Sequence, residues 1–142
     1  MSPISKSLLT AVAIQLSCQL FKLIAYSIRD RRLKFEHLIT AGGFPSSHSA
    51  FVTALAVAVG FHSGPLSDSF AISFVFGAIV IYDAIRLRGA VEDHARLLNE
   101  LTAKHHPAEH RNLREMIGHK PAEVVAGMLI GGGAAAAASL FF

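Results

Sequence analysis

The stretch FAISFVFGAIVIYDAIRL, residues 70–87, decides the fold class. It carries no charge before Asp83 and ends in Arg86-Leu87, with Arg88 next. A run this apolar and this long approaches the ~20 residues that cross a ~30 Å hydrocarbon core. A soluble core helix rarely stays uncharged for so long.

The same pattern holds on both sides of it. Residues 48–82 carry one charge, Asp68, and residues 124–142 carry none. Over 142 residues, 52% are apolar, 16% are charged and mean hydropathy is +0.46, which excludes an ordinary soluble domain. Four spans are expected: Leu8–Ile28, Phe44–His62, Phe70–Leu87 and Ala122–Phe142. The predicted architecture is a single all-α polytopic membrane domain over residues 1–142, four transmembrane helices plus an amphipathic cytoplasmic segment. The turn His62-Ser63-Gly64-Pro65-Leu66-Ser67-Asp68 suits a tight link between the second and third spans. The N-terminal apolar stretch lacks a small-x-small cleavage site and contains Lys22, so it reads as a retained span rather than a signal peptide.

Lys and Arg set the expected orientation. Arg29, Arg31, Arg32 and Lys34 follow the first span; Arg88, Arg96, Lys104, Arg111, Arg114 and Lys120 follow the third. The positive-inside rule puts both of these loops in the cytoplasm and both termini outside. The formal charge of +3 fits nucleic acid or anionic lipid, and the apolar runs decide for lipid. Within residues 88–104, Val91, Leu98 and Leu101 share one helical face, as in a helix lying near the membrane surface. The lone Cys18 excludes an intrachain disulfide and reads as a small core residue.

Polar residues inside the spans carry the chemistry. Gln15, Gln19, Lys22 and Tyr26 are spaced i, i+4, i+7, i+11 and line one face of the first helix. Lys22 snorkels to the interface or, embedded among amides, faces a buried anion or carboxylate. Gly42-Gly43-Phe44-Pro45-Ser46-Ser47-His48-Ser49 opens the second span with hydroxyls and an imidazole at a helix N-terminus, where anions are welcome. Gly118-His119-Lys120-Pro121-Ala122-Glu123 opens the fourth in the same way, with Pro121 at the first helical position. Asp83 and Arg86, spaced i, i+3, read as an interfacial salt bridge; alternatively, Asp83 orients a lysine or histidine while Arg88 grips an anion. His94 and Asn99 are weaker candidates for the same mouth. His105, His106 and His110 lack the carboxylate or thiolate spacing of a metal site. Gly127-x-x-x-Gly131 reads as tight packing within the bundle or as a homodimer seam.

These motifs, with Tyr82-Asp83-Ala84, Arg88, Leu98-Asn99 and Gly118-His119-Lys120-Pro121-x-Glu123-Val124, resemble the short divergent branch of the type 2 phosphatidic acid phosphatase and vanadium haloperoxidase superfamily. The resemblance implies that Ser46, Ser47 and His48 stand for a Pro-Ser-Gly-His motif, with Ser47 in place of Gly. It implies that His119 and Glu123 stand for a His-x-x-x-Asp pair, with Glu in place of Asp. Arg114 matches the motif arginine less closely, one residue too near His119. The superfamily's Lys…Arg-Pro motif is absent, and Lys22 or Arg31/Arg32 would substitute for it.

The expected function is therefore a lipid-phosphate phosphatase at the cytoplasmic face. His48, His119, Glu123 and Asp83 would be catalytic; Lys22, Ser46, Ser47, Arg88 and Arg114 would bind phosphate. Phosphatidylglycerophosphate, phosphatidate and polyprenyl phosphates are the candidate substrates. The expected partners are a membrane lipid and, in one reading, a second copy of the chain; no metal, cofactor or nucleic acid is expected. The rival readings are a non-enzymatic protein that binds or moves an anionic lipid, or a small subunit of a membrane complex.

Overall fold

A computed structural model describes residues 5–31, 43–105, 112–115 and 117–141. The regular secondary structure of these residues is helical throughout. The order is α1 (Lys6–Asp30), α2 (Ser47–Ser63), α3 (Asp68–Ile85), α4 (Leu87–His105) and α5 (Pro121–Phe141). Among the described residues, three helical runs are long and apolar enough to cross a membrane: α1, the 38-residue run Asp68–His105 that joins α3 to α4, and α5. At 17 residues α2 is shorter, about 25 Å of helix.

Local sequence explains the ends. α2 begins at Ser47, later than the expected Phe44, because Ser46 is extended and accepts the Ser49 N–H on its hydroxyl. α3 begins earlier than expected, at Asp68, because Ser67 caps it by accepting from Phe70 N at 3.2 Å. Arg31 ends α1 in the left-handed region. Lys34, Arg32, Gly42, His106, His110 and Arg111 lie outside the described residues.

α2 is the centre of the bundle and packs on α1, α3 and α5. Its buried residues are small: Ser47, Ser49, Ala50, Ala54 and Ala58, with Val52. α5 lays Gly127 and Gly131 against it. A Cβ on Gly127 would collide with the Ser46 carbonyl oxygen, and one on Gly131 with the Ala50 carbonyl oxygen. The Gly127-x-x-x-Gly131 face is thus turned inward, packing helix on helix within one chain.

The outside is the reverse of a soluble protein's. Leu16, Leu20, Phe21, Phe74, Ile79 and Leu129 are all more than half exposed, while Ser7, Lys22, Ser46 and Ser49 are buried. Water would penalise such a surface, whereas acyl chains do not. On α1 the predicted polar stripe does turn inward: Lys22 is buried and Gln15, Gln19 and Tyr26 are partly buried, with Leu16 and Leu20 outside.

Candidate active site

Three contacts tie four helix ends together. Phe44 N donates to the Tyr26 hydroxyl at 3.2 Å, joining the end of α1 to the approach of α2. Ser46 N donates to the Glu123 carbonyl at 3.0 Å, joining the starts of α2 and α5. His119 N donates to the Ala84 carbonyl at 3.1 Å, joining the approach of α5 to the end of α3. Two helix N-termini therefore open side by side, each presenting its positive dipole end.

The two histidines that precede or begin these helices meet at this junction. Their ring centroids are 6.3 Å apart and the planes stand at 81°. His119 is 5% exposed, yet neither of its ring nitrogens has a hydrogen-bond partner among the described residues, and nor does His48 Nδ1. A buried polar atom without a partner is costly, so this cluster is a candidate ligand site.

Cations surround the pair. Lys22 is 2% exposed, and its charge reaches Glu123, His48 and His119. Arg88 also acts on both imidazoles. Its Nε donates to Asp83 Oδ2 at 2.9 Å, so among the described residues Asp83 pairs with Arg88, neither with Arg86, which sits at the break between α3 and α4, nor with a lysine or histidine. Burial first, and then the charges of Lys22, His48 and Arg88, hold the His119 imidazole down to about 4. It is neutral at pH 7, the state in which a ring nitrogen has a free lone pair.

Other candidates have different places. The Ser46 hydroxyl caps α2 and lies 2.9 Å from that of Ser49; Ser47 is buried in the first turn. The Glu123 Oε2 accepts from Lys120 N at 3.1 Å, the acidic half of a capping box. Arg114 is exposed and has no hydrogen bond or ion pair among the described residues. His94 and His105 are exposed. Asn99 does not line the mouth but bridges α4 to the returning chain: its side chain donates to Leu113 O at 2.9 Å and accepts from Leu113 N at 2.8 Å. Glu92 does comparable work one step closer to His119, and no local motif in the sequence marks it.

An apolar groove of about 350 Å³ runs between α1 and α5, lined by Ile14, Cys18, Phe21, Phe44, Pro45 and Ala134. It reaches the junction at Phe44-Pro45, immediately before Ser46.

Fold and site together define a small helical integral membrane protein with a polar junction at one end of its bundle. The chain belongs to the divergent PAP2 family, which it matches over residues 4–134. It is 34% identical over 138 residues to the uncharacterized membrane protein YuiD of Bacillus subtilis (strain 168), a match that covers 87% of each chain. No solved structure matches the chain.

Proposed function

We propose that the protein is a membrane phosphatase that hydrolyses a lipid phosphate at the cytoplasmic leaflet. The reading is carried by one observation: two histidine rings meet edge-on, 6.3 Å between centroids, at paired helix N-termini, with unpartnered ring nitrogens and buried cationic charge around them. Binding an anion needs only cations and helix ends. A pair of imidazoles adds what group transfer needs, a nucleophile and an acid.

In this reading α2 crosses the membrane with the other three runs, as the fourth span. The basic residues that follow α1 and α3 hold the junction on the cytoplasmic side. A neutral His119 nitrogen attacks phosphorus, and the bond to the lipid oxygen breaks as His48 gives that oxygen its proton. This leaves a phosphohistidine and a free lipid alcohol. Water then attacks the phosphohistidine, His48 takes the water proton, and inorganic phosphate leaves with His119 restored. Lys22, Arg88, Ser47 and the two helix N-termini stabilise the charge on the equatorial oxygens, the main requirement of phosphoryl transfer. Asp83 holds Arg88 in place for this. One acyl or polyprenyl chain rests in the α1–α5 groove, so that only the head group enters the junction.

The test is phosphate release by purified protein from a panel of phosphatidylglycerophosphate, phosphatidate and polyprenyl phosphates, beside His48→Ala. Release by the wild type that falls by at least about 100-fold in the variant supports the reading. Binding of the same lipids without release in any case leaves a lipid-binding protein instead.

A further inference from the structure

We infer that Glu92 is a positioning residue for His119: its carboxylate clamps the two backbone N–H groups that immediately precede the histidine. The assignment rests on the phosphatase reading for its catalytic meaning, and on geometry for the clamp itself. Glu92 Oε2 accepts from Gly118 N at 3.0 Å and from Ile117 N at 3.3 Å, across more than twenty residues of chain. Two successive N–H groups aimed at one oxygen form a small anion-binding concavity, and here the protein fills it with its own carboxylate.

Neighbouring contacts seat the same segment. A Cβ on Gly118 would meet Gly89 N and Cα at 3.0 Å, so the chain passes close against the first turn of α4, where a larger residue would push that backbone aside. His119 N is fixed on Ala84 O on the other side. Asn99 repeats the device about two turns further along α4, through Leu113 and, at 2.8 Å, Glu115 Oε1. The other Glu92 oxygen lies 3.4 Å from Arg96 Nη2, which orients the carboxylate along α4.

The ring of His119 has no hydrogen-bond partner of its own among the described residues. Its direction is therefore set through its backbone, and Gly118 is the last point at which a side chain grips that backbone before the ring. Misplacement of a reacting group by a small fraction of its reach is enough to lower turnover steeply. Glu92 thus acts on the rate of the chemical step and not on the affinity for the lipid.

The test uses the full chain in lipid nanodiscs with Glu92→Ala, Glu92→Gln and Glu92→Asp. Gln keeps an oxygen acceptor at the same reach; Asp keeps the charge but is one methylene shorter. Two readouts do not depend on enzyme activity: solvent exchange of the Gly118 amide and the ring signals of His119 by NMR. Expected for E92A is Gly118 exchange faster by on the order of tenfold and a shifted His119 ring, with His62 at the far end unmoved. Expected with lipid phosphate is kcat lower by on the order of tenfold at a KM within about twofold, with E92Q close to wild type and E92D between. Unchanged Gly118 exchange and His119 signals in E92A overturn the clamp, as does E92Q behaving like E92A. If E92A does not fold, the comparison of E92Q with E92D decides on the same signals. Absence of wild-type phosphate release defeats the phosphatase reading alone, because the NMR arms still judge the clamp.

Discussion

The backbone N–H of Ser46 donates to the Glu123 carbonyl at 3.0 Å, so the first turns of α2 and α5 are bonded to each other rather than merely adjacent. This contact is possible because Gly127, one turn further along α5, presents no side chain to the Ser46 carbonyl. The close approach of two backbones brings His48 and His119 to a common junction.

Enlarging the inward glycines forces α2 and α5 apart. Gly131→Ala puts a Cβ into the Ala50 backbone carbonyl and is expected to destabilise the fold by about 1–3 kcal/mol. Gly133→Ala, where an added Cβ meets nothing within 4 Å, is the control and is expected to be neutral or slightly stabilising. Unfolding of both variants in detergent, followed by circular dichroism, checks this.

The neutral state of His119 makes a statement about pH. Its folded value of about 4 lies below the ordinary 6.5, so the unfolded chain takes up the proton first. Its contribution to stability is complete above 6.5 and is lost as pH falls toward 4. An NMR titration of the labelled imidazole is expected to give a midpoint near 4, and to move upward when a lipid phosphate dianion binds beside it.

Much of the fold was legible in the sequence because lipid leaves a simple signature. Uncharged runs such as residues 70–82 announce α3, and the inward turn of Gln15, Gln19, Lys22 and Tyr26 follows from their spacing on one helix face. The two histidine-bearing helix starts were equally visible, as Gly or Pro, then Ser or Lys, then a span. The ends of α2 and α3 moved because single serines, Ser46 and Ser67, cap them, and a cap shifts a boundary without changing hydropathy. Neither reading of Asp83 supplies its partner, because a break at Arg86 puts Arg88, not Arg86, within reach. Glu92 was invisible because its partners lie in a different segment, and a carboxylate on a solvated helix face has no local mark of its role.

The Asp83–Arg88 pair separates stability from function. Both side chains are about a third exposed, so breaking the pair is expected to cost under ~1 kcal/mol. Asp83→Ala nonetheless leaves the Arg88 guanidinium unheld, and KM for a lipid phosphate is expected to rise several-fold with little change in thermal stability. Steady-state kinetics beside a melting curve checks both halves.

Filling the α1–α5 groove tests where the lipid chain lies. Ala134→Phe projects a large side chain into that groove, well away from the histidines. It is expected to raise KM for a long-chain lipid phosphate while sparing a short-chain, water-soluble one; equal loss on both would place the chain elsewhere.

The account turns on His119 as nucleophile, and rapid-quench labelling with a radioactive lipid phosphate tests it most directly. The account predicts an acid-labile, base-stable phosphoryl group on His119 in the wild type and none in His119→Ala. Turnover by the wild type with no phosphohistidine, or the same label retained in His119→Ala, would contradict it.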